Sequence, residues 1–250
     1  VSFRAKDNRT SDQNYRNYFQ FNMTGKIEAW HNVMSLYRTN DFATYESVIG
    51  FAFYQLFWNC TSLTKAPVLP ATTLAESCYE TMFKGTSLTK APALPATTLE
   101  WSCYSDMFSG CQSLTKAPEL PATTLTTYCY WYMFRGCQSL TKAPELPATK
   151  LASYCCYRMF DGCQSLTKAP ELPATTLSTN CYGGMFSGCQ SLKEVRIAAT
   201  TTATNALTDW LKDVSATGDF YCDPNATIFP TGASGIPANW RRLNINDYPN

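Results

Sequence analysis

Apolar and polar positions along most of this chain follow one pattern, repeated. The segment S-L-T-K-A-P places its leucine at Leu63, Leu88, Leu114, Leu140 and Leu166, with a degenerate copy at Leu192, at intervals of 25 and then 26 residues. One unit reads S-L-T-K-A-P-E-L-P-A-T-T-L-x-x-x-C-Y-x-x-M-F-x-G-C-Q. A fixed period of this length marks a solenoid, in which each unit buries its apolar face against its neighbours. Within the unit Leu74, Cys78 and Met82 stand four apart, flanked by Tyr79 and Phe83. That spacing predicts a helix of about three turns. Thr72 or Thr73 supplies its N-cap after Pro70, and Gly85 its left-handed end. The other half, Leu63 to Leu69, predicts a strand centred on Thr64 to Ala66, kept brief because Pro67 has no N–H to donate. The last copy, Leu192 to Ile197, lacks that proline and is the better strand sequence. The expected fold class is an α/β solenoid: a right-handed coil of short parallel strands and short helices, rising ~4.8 Å per coil.

A solenoid leaves apolar coil faces open at both ends and needs caps. Residues 1–51 are expected to form a polar segment and a β-hairpin cap, with Tyr18 to Val33 alternating about Thr24-Gly25. Residues 52–197 are the repeats, entered through a first coil in which Leu56-Phe57-Trp58 replaces Met-Phe-x. Residues 198–250 are expected to form a C-terminal helix-loop cap. There Asn205 opens a helix, Ala206 to Val214, whose Leu207, Trp210, Leu211 and Val214 share one face, and Trp240 closes the proline-rich remainder.

The pattern M-F-x-G-C-Q-S-L-T-K-A-P-E-L-P resembles the bacterial leucine-rich repeat of the BspA-like surface proteins, over roughly residues 52 to 197. Flanking segments resemble the same group: Thr24 to Leu36 before the repeats, and Leu207 to Phe220 and Gly235 to Trp240 after them. The chain departs from the family pattern in its 26-residue unit and in carrying Met where Ala is typical. The resemblance implies a cell-surface or secreted protein of a bacterial outer membrane, engaged in adhesion or ligand binding, and no catalytic residues. The chain opens on Val1 with no basic or apolar leader. We therefore expect a processed or trimmed product, its lipid anchor carried by a segment ahead of Val1.

Composition narrows the chemistry. Lys plus Arg number 20 against 19 Asp plus Glu, so there is no cationic excess to hold a phosphate backbone, and nucleic acid is not an expected partner. No run reaches the ~18 apolar residues of a membrane-spanning helix. His31 is the single histidine and is expected to be a solvated or hydrogen-bonded side chain. No P-loop or G-x-G-x-x-G is present, so neither an enzyme nor a cofactor is expected.

Ten of the twelve cysteines fall into two ladders. Cys78, Cys103, Cys129, Cys155 and Cys181 share one repeat position, and Cys60, Cys111, Cys137, Cys163 and Cys189 the other. Both lie among core residues and are expected to be free, buried and hydrophobe-like. Their eight-residue spacing within a unit is not a zinc knuckle, and no metal is expected. Cys156 and Cys222 fall outside the ladders and are expected to be the reactive or cross-linking thiols.

Two surfaces remain as candidate binding sites. Lys65, Lys90, Lys116, Lys142 and Lys168 form a ladder on the strand side. It is either a solvated face compensated by Glu119, Glu145 and Glu171, or a site for an acidic glycan or anionic protein. The second surface lies where units differ: Trp101, Tyr128, Trp131, Tyr132, Tyr154, Tyr157 and Arg158. Such residues either cover the neighbouring coil or make a recognition surface for a host or bacterial protein or glycan. A monomeric, non-enzymatic recognition module is the expected function; a structural spacer or display scaffold within a larger surface protein is the alternative.

Overall fold

The computed structural model describes residues 26–29, 32–36 and 46–248. Among the described residues eight short strands recur along the coils, two of them in some coils: β1 (Ile27–Glu28), β2 (Leu63–Lys65), β3 (Lys168–Leu172), β4 (Thr176–Leu177), β5 (Glu194–Ile197), β6 (Thr201–Thr202), β7 (Gly218–Cys222) and β8 (Trp240–Asn244). Their pairing, β1 with β2, β4 with β6, and β3-β5-β7-β8 in a row, is parallel throughout. The chain is therefore a parallel-strand solenoid. Between β2 and β3 the ladder thins to single bridges, Lys90 to Lys116 and Lys116 to Lys142. Proline stands two residues after each of these lysines, at Pro92, Pro118 and Pro144, and withholds a ladder N–H; β3 runs through its own Pro170 only with a break in register between Lys168 and Glu171. In β5 the proline is replaced by Arg196, and a four-residue strand pairs on both sides.

The expected helices are not there. Each unit instead carries left-handed residues every fourth position: Ser77, Thr81 and Gly85, then Ser102, Asp106 and Gly110, then Tyr128, Tyr132 and Gly136, and so on along the coil. An α-helix admits no such residues. Backbone N–H groups alternate in destination. Cys78, Glu80 and Met82 close tight turns onto Ala75, Ser77 and Tyr79, three residues back in their own coil. Ser77, Tyr79, Thr81 and Phe83 donate to Trp101, Cys103, Ser105 and Met107 of the next coil, at 2.9 to 3.1 Å. The result is a ribbon of consecutive β-turns hydrogen-bonded from coil to coil. Each non-glycine left-handed residue costs roughly 1–2 kcal/mol, and the inter-coil hydrogen bonds, unavailable to a helix, offset it.

The apolar spacing misleads for a simple reason. Two turns of this ribbon take four residues, and over so short a run a period of four is indistinguishable from 3.6. The same correction applies to Ala206 to Val214. Asn205, Asp209 and Asp213 are left-handed, and Thr208, Trp210 and Lys212 bond three residues back. The helical C-terminal cap is thus one more turn ribbon, onto which Tyr182, Gly184, Phe186 and Gly188 donate.

At the N-terminal side, β1 pairs in parallel with β2 and Asn32 bridges to Val68, so the described part of the expected hairpin continues the solenoid. Residues 18–25, which include the hairpin's first strand and turn, lie outside the described residues, as does His31.

Burial follows the repeat. Phe57, Phe83, Phe108, Phe134, Phe160 and Phe186 form one stack with ring centroids 5.6 Å apart and near-parallel planes, ended by a tilted Trp210. Phe53, Tyr79, Tyr104 and Tyr130 make a second stack. All twelve cysteines are free and buried. Cys156 and Cys222 are no exception, each fully shielded, so the expectation that they are the reactive pair is overturned. Cys156 occupies the place of the tyrosine inside the second stack, and Cys222 ends β7 facing inward. Burial pushes both thiols up, the wrong direction for a nucleophile.

Candidate functional site

The turn ribbon places side chains of successive coils side by side, and in the central coils these are aromatic. Trp101, 44% exposed, meets Tyr128 edge to face at 5.9 Å. Tyr128 stacks on Tyr154 at 5.1 Å and touches Trp131 at 6.0 Å. Trp131 packs on Tyr132 at 4.3 Å, Tyr132 meets Tyr157 at 5.9 Å, and Tyr157 returns to Tyr154 at 5.8 Å. Six rings thus form one continuous network at the surface, and every aromatic residue singled out from the sequence belongs to it. Tyr128, Tyr132, Tyr154 and Arg158 are themselves left-handed corners of the ribbon.

Cations frame one side. The Arg135 guanidinium lies 5.0 Å from the Tyr132 ring centroid and that of Arg158 5.8 Å from Tyr157, within reach of a cation–π attraction. Both arginines turn to one oxygen, Asp161 Oδ2, at 3.4 and 3.2 Å. Partial burial pushes the Tyr132 hydroxyl up, with the Arg158 charge pulling against it, so the phenol is neutral and available as a hydrogen-bond donor.

Arg135 and Asp161 escaped notice in the sequence. They occupy one repeat position, filled by Lys84, Ser109 and Ser187 in other units; that variability is the signal that would have found them.

The network stops where the repeat loses its side chains. Gly183 and Gly184 take the places of Trp131-Tyr132 and Tyr157-Arg158 in the next coil. A methyl group on Gly183 would meet the Tyr157 ring at 3.0 Å, and one on Gly184 would lie 2.6 Å from Arg158 Cγ. The two glycines therefore give Tyr157 and Arg158 room to lie down over the following coil. On the opposite side the equivalent positions are Ser105 and Asp106, the latter paired with Lys84 at 2.9 Å.

The lysines lie apart, on the strand side. Lys90, Lys116, Lys142 and Lys168 are exposed. Lys168 is neutralised by Glu194 at 2.8 Å and sits 4.9 Å from the Tyr248 ring; the hydrogen bond to Glu194 raises its pKa. Compensation within the unit does not occur. Glu171 pairs with Arg196 of the next coil, and among the described residues Glu119 and Glu145 form no ion pair. The physical reason is the pleat interrupted by proline: Lys116 and Glu119 are separated by buried Ala117 and Pro118 and point into solvent independently. Neighbouring ammoniums at coil spacing repel by ~1 kcal/mol in water.

Among the described residues no group of three or more His, Cys, Asp or Glu side chains is arranged to hold a metal ion, and no helix is long and apolar enough to cross a membrane. No protein-family model matches the chain, nor does any curated protein. Among solved structures it is similar to a leucine-rich repeat protein from Bacteroides ovatus, at 15% identity over 80% of this chain and 67% of that one, with a TM-score of 0.23.

Proposed function

We propose that this solenoid is a non-enzymatic recognition module of a cell-surface or secreted protein, taking a protein or glycan ligand on the aromatic network from Trp101 to Tyr157. One observation carries the proposal: the fold does not need these rings. At the positions of Trp131 and Tyr132 other coils carry Glu80-Thr81, Ser105-Asp106 and Gly183-Gly184, with the same turn ribbon and the same inter-coil hydrogen bonds. Coil packing is supplied by the buried phenylalanine stack. Six exposed or half-exposed rings beside two guanidiniums have the composition of a binding hot spot, rigid and amphipathic, with little side-chain entropy to lose. The surface location follows from the resemblance of the repeat to BspA-like proteins.

The test is an array of glycans and matrix proteins probed with the full chain and with a Trp101→Ala, Trp131→Ala, Tyr132→Ala triple variant. Loss of roughly two orders of magnitude in affinity for the captured ligand is expected. Retained binding sinks the proposal, and silence of the parent chain across the whole array favours a spacer.

A further inference from the structure

The lysines of the strand side belong to a longer column. In register along the parallel ladder, Glu28 lies beside Lys65, Lys90 beside Lys116, Lys116 beside Lys142, Lys168 beside Glu194, Glu194 beside Asp219, and Asp219 beside Arg241. The column thus runs acid, five lysines, two acids, arginine. Its C-terminal end is internally satisfied: Glu194 takes Lys168, and Asp219 holds Arg241 in a two-point pair at 2.6 and 2.7 Å. The middle is not. Among the described residues no ion pair reaches Lys90, Lys116 or Lys142, although each is held in register with its like-charged neighbour.

We infer that the central lysine column is a binding site for a linear anionic polysaccharide lying along the solenoid axis. Its neighbours suit such a polymer. A parallel file of exposed threonines, Thr89, Thr115, Thr141 and Thr167, stands one residue before the lysines. Three residues before the threonines of the last three of these coils stand exposed amides, Gln112, Gln138 and Gln164. A surface repeating hydroxyl and ammonium at every coil, with an amide added from the Lys116 coil onward, offers a periodic ligand the same contacts at successive steps. Nucleic acid fits less well. A duplex presents two phosphate rows to a single file of cations, and single strands are held by stacking on exposed rings, whereas the position three residues after these lysines carries Ala93, Glu119 and Glu145. This site is separate from the aromatic network and stands or falls without it.

The experiment measures binding of the full chain to polygalacturonate and to heparin, as carboxylate and sulfate probes, across a salt series. Binding of either polymer is expected, about ten-fold weaker in Lys116→Gln/Lys142→Gln, with the slope of log affinity against log salt falling by roughly one to two. Lys150→Gln/Lys212→Gln removes the same charge from exposed sites off the column and should leave binding unchanged. Glu119→Gln/Glu145→Gln should tighten it several-fold. Failure of both polymers to bind, equal losses in the two lysine pairs, or a single-stranded oligonucleotide bound as tightly with the same variant pattern would each overturn the assignment.

Discussion

The thiol of Cys137 donates to the carbonyl oxygen of Phe108, 3.1 Å away in the preceding coil. Cys111 does the same to Phe83, Cys163 to Phe134 and Cys189 to Phe160, at 3.0 to 3.1 Å. Each of these carbonyls also accepts a backbone N–H from its own coil, closing the turn after phenylalanine. The second cysteine ladder is therefore a row of weak hydrogen bonds stitching coil to coil, beside the phenylalanine stack.

Replacing that donor should be felt in proportion to the bond and the methylene it carries. Cys137→Ala is expected to destabilise by about 1–2 kcal/mol. Cys137→Thr should cost less, because Thr86, at this position in its own unit, keeps a hydrogen bond within its turn, its hydroxyl donating to the Phe83 carbonyl three residues back at 2.9 Å, so the variant exchanges the inter-coil bond to Phe108 for one to Phe134. Urea titration of the two variants decides the order; equal losses would show that the hydroxyl does not substitute.

Protonation of the thiols ties stability to pH. Burial raises Cys111 to about 11 and Cys163 to about 12, and raises the other ladder thiols of the central coils as well. Folded thiols thus hold their protons more tightly than unfolded ones, whose pKa is about 8.5. Their contribution is fully present below that value and is lost as pH rises toward the folded values. Thermal melts should be flat from pH 6 to roughly 8 and fall progressively in more alkaline buffer. A Tm independent of pH above that point would contradict the burial of the ladders.

The same burial predicts silence toward thiol reagents. With all twelve cysteines enclosed, a native sample at pH 8 should react at the rate of its own unfolding, and every thiol should appear once denaturant is added. One or two fast-reacting groups in the native state would show that Cys156 or Cys222 is accessible after all.

The aromatic stacks separate packing from polarity. Phe134→Ala, in the middle of the phenylalanine stack, should cost about 3–5 kcal/mol. The buried Tyr130 hydroxyl has no hydrogen-bond partner, so Tyr130→Phe should be neutral or stabilise by up to about 1 kcal/mol. Denaturant midpoints at matched m-values test both.

Much of the fold was legible from Leu63, Phe83 and Cys111 alone, since each recurs every 25 or 26 residues and each repetition is buried. Pro67 likewise foretold the brevity of β2, whereas β3 runs through Pro170 with a shift in register. The helix was misread because Leu74, Cys78 and Met82 report which side faces inward and not where their N–H groups go. The aromatic candidates were visible as departures from the repeat, but Trp101 and Tyr157 are far apart in the chain and only the stacking of coils links them through Tyr128 and Tyr154. Arg135 and Asp161 were missed for the same reason: neither means much until the coil places them across from each other.

By itself the sequence determined the repeat, the inward-facing residues and the parallel coil, because burial periodicity is a local property of the chain. Tertiary structure decided between helix and turn ribbon, and between compensated and uncompensated lysines. Both depend on the next coil, whose carbonyls accept the free N–H groups of Ser77 and Tyr79, and whose carboxylates reach Lys168 through Glu194 but not Lys116 or Lys142.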